Sequence, residues 1–578
     1  QAIWAQASAT IGGLSMIMAA AQDTGSISEC CFLSVLSDDV LLRICRFLPA
    51  HALLGTGATC TELQRRTHES VELWQKLCQF FLGDALLMLH NGCWSGNADV
   101  SLRSSYYRSL FRAAWDCNSF SYDHRFRRTL LQSVQLMQQQ GNGSHQEALK
   151  DLLCMSGHTS EALGSLVFQI GGMRNEMPEG APLHVTVFDL AAKRISKPSL
   201  TSNSCKPLHR MRHSTCVVHA PFLPQAQNQQ AILVLGGHGT PGTTDTAKPR
   251  PSVCTLLLLE VVREDGSEIC WHEVCATGTA PEYIYNHACA SFCQGRRVCV
   301  FGGDIPVGDP EYARIRNRDQ CKFVYVLDVR AQLWQVVDTS GHIPSWRSFH
   351  GAVAHTSLID GREYFVTFGG TSEHCEPLSG ARPAPMTGCE LDLQAFVWRQ
   401  GPTDGFMPAA RIRFGVARWG RHLLVNGGHG GRTTDGGVVR LNLNSLQWAR
   451  VEFTNSPPRL PVNGFETGSP QAGLIVGGAH QSALGPRILT RLNLFRLSDP
   501  LAPPLLDEDM SADDVGGGSD DDDADMPMVQ IQIPGSDGRP RIVQMPLVML
   551  RHVQREAGSP EAFIEMIQSL IADQDEDE

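Results

Sequence analysis

The sequence has no run long and apolar enough to cross a bilayer. Its best candidate, Ile11 to Ala21, is far short of a span and has no basic region before it, so neither a membrane helix nor a secretory signal is expected. It also lacks paired cysteine spacing. The 19 cysteines are odd in number and scattered, which points to reduced thiols and a cytoplasmic or nuclear protein. A basic stripe is missing too. The formal net charge is -12, and ten acidic groups fall between Asp507 and Asp525, so the rest is near neutral and gives no footprint for nucleic acid. Catalytic signatures are equally scarce. No glycine-rich loop opens a helix, and no nucleophile elbow or paired-cysteine zinc pattern occurs, so a non-enzyme without cofactor or metal is expected.

What the sequence does have is a repeated event, an apolar strand running into two glycines. It occurs at Gly171-Gly172, Gly236-Gly237, Gly302-Gly303, Gly369-Gly370, Gly427-Gly428 and Gly477-Gly478. The spacings of 65, 66, 67, 58 and 50 residues are too uneven for a solenoid of constant pitch and suit blades with variable loops. A second strand follows each pair, as in Val185 to Leu190 or Phe323 to Val329, and in four copies a tryptophan follows: Trp271, Trp334, Trp398 and Trp448. A third register precedes each pair from the second onward. Pro207-x-x-Arg210-x-x-His213-Ser214 matches Pro281-x-x-Ile284-x-x-His287-Ala288, Pro344-x-x-Arg347-x-x-His350-Gly351 and Pro408-x-x-Arg411-x-x-Phe414-Gly415, and more loosely Pro461 to Gly468. The small residue closing each motif begins an inner strand, where neighbouring blades crowd and bulk would clash. His158 holds this register in the first unit.

These motifs in phase resemble the kelch repeat. The resemblance implies a mainly β fold, a six-bladed β-propeller over residues 151–500. The first and last copies lack the tryptophan, which suggests an end effect or a strand borrowed from elsewhere at ring closure.

Before the propeller, Leu33, Leu36, Val40, Ile44, Phe47 and Leu48 recur at three- and four-residue intervals, followed by Thr59-Cys60-x-x-Leu63 and Leu73-Trp74-x-x-Leu77-Cys78. This all-α stretch over 32–83 resembles the F-box, although the usual Leu-Pro reads Leu36-Ser37. The resemblance implies a Skp-type adaptor, and through it a cullin, as partners of Leu33, Leu36, Val40, Ile44, Leu48, Cys60 and Trp74. The order of parts is similar to the F-box and kelch half of ZEITLUPE-type proteins, without an expectation of light sensing. Residues 1–31 read as a disordered leader and 84–150 as a helical linker with Tyr106, Tyr107, Leu110, Phe111 and Trp115 as core. Residues 501–527 form an acidic linker unable to bury a core, and 528–578 a tail with a hairpin around Pro534 to Gly538 and a helical stripe from Phe563 to Ile571.

The function so implied is the substrate-recognition subunit of an SCF-type ubiquitin ligase. A non-ligase kelch scaffold is the alternative, and a metal-dependent propeller enzyme a third reading. In kelch propellers of known pocket, the position of Arg210, Arg347 and Arg411 faces the channel mouth, so these three are expected to grip an acidic or phosphorylated protein target. Tyr312, Arg316 and Arg432, on loops after glycine pairs, are further candidates. The string Glu264-x3-Glu268-x3-His272 matches an iron motif of some kelch enzymes but runs through Gly266 into a blade edge, so no metal is expected there. The recurrent histidines and the pairs Cys270/Cys275 and Cys289/Cys293 read as structural, the cysteines as buried thiols.

Overall fold

The structure, a computed structural model, describes residues 71–79, 100–116, 119–122, 129–133 and 152–453. Within the last span, 154–155, 174–179, 225–228, 240–251, 306–320, 358–359, 373–382 and 429–437 are excepted. Short strands are described further on, to residue 546. The chain divides into two units, one ending at Ala502 and a second over Pro503–Glu578 with Ser482–Gly485.

Five antiparallel blades are complete among the described residues. The first comprises Thr159–Leu163, Leu166–Ile170, Val185–Asp189 and Arg194–Ser196. The second comprises Ser214–His219, Gln230–Leu235, Thr255–Val261 and Glu268–Cys275, and the third Ala288–Phe292, Arg297–Phe301, Phe323–Asp328 and Leu333–Asp338. Gly351–Thr356, Glu363–Phe368, Cys389–Asp392 and Val397–Gln400 make the fourth, and Gly415–Trp419, His422–Asn426, Val439–Asn442 and Trp448–Arg450 the fifth. The first strands of successive blades lie against one another, which places them innermost.

Five blades, not the six that six glycine pairs predict, is a correction to the sequence reading. Gly477-Gly478 lies outside the described residues. What is described in the last repeat is a sheet in the order Glu452–Phe453, Ser119–Tyr122, Leu492–Leu497, Leu474–Val476. Ser119–Tyr122 comes from before the first blade and runs antiparallel to Leu492–Leu497 and parallel to Glu452–Phe453. That parallel contact repeats a device seen three times in the blades. After leaving a blade, the chain straps two residues onto the outer strand of the next: Ser199–Leu200 on the second, Thr277–Gly278 on the third and Ser340–Gly341 on the fourth.

The core lies between blades. Alternation in Thr255–Val261 sends Leu257, Leu259 and Val261 toward the first blade and Leu256 and Leu258 toward the third, so this strand is apolar on both faces. The four outer-strand tryptophans each oppose a leucine: Leu259, Leu327, Leu391 and Leu441. The first blade, without a tryptophan, pairs Ile195 with Phe188, so the aromatic volume has moved one strand inward.

In the amino-terminal region the helix at 71–79 buries Leu73, Trp74, Leu77 and Cys78. Trp74 packs against Phe111 of the helix Val100–Asp116 at 5.6 Å, and the Cys78 thiol donates to the Tyr107 carbonyl. Trp74, expected as an adaptor contact, is 1% exposed. Leu33, Leu36, Val40, Ile44, Leu48 and Cys60 lie outside the described residues, as does the stripe from Phe563 to Ile571. In the second unit, Met528–Pro534 pairs with Pro540–Pro546 as an antiparallel hairpin. Among the described residues, no helix is long and apolar enough to cross a membrane.

Candidate functional site: the axial ring

Among the described residues, four of the glycine pairs are joints between blades. Both glycines have positive φ, for example +73° at Gly302 and +98° at Gly303, a conformation that costs a residue with a Cβ about 1–2 kcal/mol. The second glycine N–H donates to a carbonyl of the following blade: Gly172 to Arg210, Gly237 to Ile284, Gly303 to Arg347 and Gly370 to Arg411, at 2.8–3.0 Å. A Cβ on the first glycine would run into that carbonyl oxygen at Gly171, Gly236 and Gly302.

Three of these carbonyls belong to the expected target-binding positions, and the side chains there are spoken for. Arg210, Arg347 and Arg411 are 7%, 8% and 1% exposed. Each donates through Nη1 to the first glycine carbonyl of its own blade: Gly236 at 3.4 Å, Gly369 at 3.1 Å and Gly427 at 3.1 Å. Arg347 also donates from Nε to the Ser345 carbonyl, and Arg411 likewise to that of Ala409. Burial lowers the pKa of Arg210 to about 10. These guanidinium groups clamp glycine corners and are buried where the resemblance implies an open grip on a target. Tyr312, Arg316 and Arg432 lie outside the described residues.

Two residues further along, the geometry differs. Gly157, Arg212, Asn286, Phe349 and Arg413, each just before the register histidine or its phenylalanine substitute, all have φ between 56° and 70°. Their backbones form a chain of hydrogen bonds from blade to blade: Arg212 N–H to Gly157, Asn286 to Arg212, Phe349 to Asn286 and Arg413 to Phe349. Four of the five are not glycine, and strained non-glycine positions concentrate where a side chain has work to do. Arg212 and Arg413 both lie over the Phe349 ring, at 5.4 and 4.5 Å from its centroid, and Asn286 donates to Asp304 at 2.9 Å. The loops after the glycine pairs start beside this ring, since Met211 bridges His238, Tyr285 bridges Asp304 and Ser348 bridges Thr371. Ring and loop roots therefore share one end of the propeller. Sequence reasoning missed Arg212 and Arg413 because left-handed backbone at a non-glycine residue leaves no compositional mark; their only signal was recurrence one place before the histidine.

The histidines hold the innermost strands together. His213 Nε2 meets Thr159 Oγ1 of the preceding blade at 2.8 Å, and His287 Nε2 meets Ser214 Oγ at 2.5 Å. Burial keeps both neutral, lowering His287 to about 3 and His213 well below the usual range, with Arg210 adding to the latter. In the next blades the hydroxyl becomes Ala288 and then Gly351, and ring contacts take over: His350 on Phe301, and Phe414 stacked on Phe368 at 5.5 Å. Of the two cysteine pairs, Cys270 and Cys289 are buried whereas Cys275 and Cys293 are exposed, so the buried-thiol reading holds for half of them. The Glu264, Glu268, His272 string is not brought together. Glu268 pairs with Arg263 at 3.1 Å and His272 with Glu260 at 2.7 Å.

Among curated proteins, the chain is 25% identical over 157 residues to acyl-CoA-binding domain-containing proteins 5 and 4 of Arabidopsis thaliana, a stretch that is 27% of this chain. The chain spans about a fifth of the length of those relatives, 21% and 20%. The model of the KLHDC2/KLHL20/DRC7 kelch-repeats domain matches residues 157–376 and 225–478, together more than half of the chain and coincident with the glycine joints, the histidine register and the blades. The chain belongs to the kelch-repeat family, whose propellers are in general non-enzymatic protein-interaction modules.

Proposed function

We propose that the propeller holds an acidic or phosphorylated protein target at the axial ring, and that the chain presents it to a ubiquitin ligase of the SCF type. The observation that carries the binding half is the Arg212–Phe349–Arg413 stack, built on strained backbone at the end of the propeller where the loops begin. Two guanidinium forks over one ring offer paired donors to carboxylate or phosphate. The ligase half rests on the apolar pattern from Leu33 to Leu63, which resembles the F-box. In this reading the protein works by proximity, the propeller holding the target while the Skp-type adaptor and its cullin bring the ubiquitin machinery.

The test has two arms on the full chain. Co-purification with a Skp-type adaptor is expected and should be lost in Leu36→Asp/Ile44→Asp; no adaptor in the wild type refutes the ligase half. Acidic and phosphorylated peptide arrays should bind the wild type, and Arg212→Ala/Arg413→Ala should weaken that binding at least tenfold. Unchanged peptide binding in the double variant refutes the axial ring as the site.

A further inference from the structure

On the outer half of the second blade, three side chains converge that neither the ring nor the joints use. Cys270 and His272 are two residues apart on Glu268–Cys275 and so share a face, and Glu260 lies directly opposite Cys270 on Thr255–Val261. The other face at this level, with Leu259 and Trp271, is apolar core. The His272 ring nitrogen, the Cys270 sulfur and a Glu260 carboxylate oxygen all lie within 4.8 Å of one another. The Glu260 side chain is 1% exposed and that of His272 20%, so the group is enclosed but reachable from one side.

A fourth donor is supplied by the chain crossing from the first blade. After its strap, this segment bonds to the outer strand through Thr201 N–H to Ile269 and Cys205 N–H to Trp271, with Ser204 Oγ accepting from Trp271 N–H. Between those anchors it turns outward, with Ser204 N–H bonding to the Thr201 carbonyl, and sets the exposed Asn203 with Oδ1 at 3.8 Å from the Cys270 sulfur.

We propose that Glu260, Cys270 and His272 bind a divalent transition metal, with the Asn203 amide oxygen or a water as fourth ligand. One sulfur, one imidazole nitrogen and carboxylate or amide oxygens form a borderline donor set that suits Zn²⁺ and is poor for Mg²⁺ or Ca²⁺, which take oxygen. Donor atoms of a tetrahedral zinc stand about 3.3–3.8 Å apart, given bonds of about 2.0–2.3 Å. The observed separations, from 2.7 Å for His272 to Glu260 up to the 4.8 Å limit, require sub-ångström to one-ångström shifts of side chains. Binding would release the Cys270 thiol proton to solvent, move the proton shared by His272 Nε2 and Glu260 to Nδ1 or to solvent so that both atoms can bind the metal, and pin the interblade crossing to the outer strand.

The full chain, purified under reducing conditions and stripped with chelator, would be titrated with Zn²⁺ against a chromogenic indicator and separately with Co²⁺. The wild type should take up one equivalent more than Cys270→Ser or His272→Gln, and Co²⁺ should give a thiolate charge-transfer band that Cys270→Ser abolishes. Cys275→Ser, which removes an exposed thiol on the same strand, should leave both readouts unchanged. Loss of a ligand should weaken the site at least a hundredfold, about 2.8 kcal/mol at 1.4 kcal/mol per tenfold. Circular dichroism of the metal-free variants establishes that they fold; if Cys270→Ser does not, the wild-type Co²⁺ band and Asn203→Asp, which should tighten binding, carry the test. Overturning results are no uptake and no thiolate band in the wild type, or uptake that Cys270→Ser and His272→Gln leave intact, which would make the group a buried ion pair beside a thiol.

Discussion

Gly302→Ala tests whether the glycine pair is a joint or merely a turn. Two costs follow from the structure. The first is conformational, since alanine at φ +73° is worth about 1–2 kcal/mol of strain. The second is steric, because the new Cβ meets the Arg347 carbonyl oxygen and the His350 ring, and the oxygen it meets accepts the Gly303 N–H bond at 2.8 Å. Backbone on both sides leaves little room to give, so overpacking adds about 1–3 kcal/mol and a weakened interblade bond about 0.5–1.5 kcal/mol. A total of about 2.5–6.5 kcal/mol is expected. Gly164→Ala is the control. Gly164 also has positive φ, +58°, yet nothing lies within 4 Å of a Cβ there, so only the strain should appear. Urea denaturation followed by tryptophan fluorescence gives both values from the shift in midpoint at constant slope. If Gly302→Ala costs no more than Gly164→Ala, the glycine pairs are not interblade joints and the account of the ring fails with them.

Acid should weaken the propeller through its buried histidines. His287, about 3 when folded against 6.5 for the free group, stabilises fully above pH 6.5 and progressively less as pH falls toward 3, losing about 2 kcal/mol between pH 7 and 5. His355, at about 4, acts in the same direction. Glu161, raised to about 7 by burial, acts oppositely: its protonation favours the fold below its unfolded pKa near 4.5 and that gain is lost as pH rises through 7. Glu161→Gln should therefore steepen the loss between pH 7 and 5, and a flat profile in that variant refutes the assignment. Ser214→Ala should cost about 1–3 kcal/mol in urea midpoint by removing the hydroxyl partner of His287, and no loss would mean that the contact is incidental. Arg347→Ala should lower stability by about 1.5–3 kcal/mol through its bonds to Gly369 and Ser345; loss of peptide binding without loss of stability would restore it to the target site. Phe120→Pro, between Phe453 and Leu497 in the last sheet, should cost about 3 kcal/mol or more, and an unchanged midpoint would remove that strand from the fold.

The blades were legible because their constraints are local and repeat. A glycine pair, a small residue after a histidine and a tryptophan each meet a steric demand that recurs every blade, and Gly351, whose Cβ would strike Phe414 and Phe368, shows the demand directly. The last repeat was less legible, since its sheet takes in a strand from Ser119–Tyr122 joining one almost four hundred residues later, and no periodicity encodes so distant a pairing. Arg210 and Arg212 look equivalent in composition, but the left-handed turn at Arg212 separates a side chain folded into the glycine corner from one stacked on Phe349. The proposed metal group was invisible for a related reason: Glu260 reaches Cys270 across a strand pair, not along a sequence motif.

The two-residue straps have a consequence for behaviour in concentrated solution. The outermost strand of a blade presents unpaired amide and carbonyl groups, a template on which another chain can add. Straps occupy that template on the second, third and fourth blades. Among the described residues the first and fifth blades have none, and on the first the Ile195 N–H is taken instead by Ser133 Oγ from the helical turn at 129–133. Trimming the chain to begin at residue 150 would remove the Ser133 hydroxyl and leave the Ile195 N–H open, so the trimmed domain should self-associate more than the full chain.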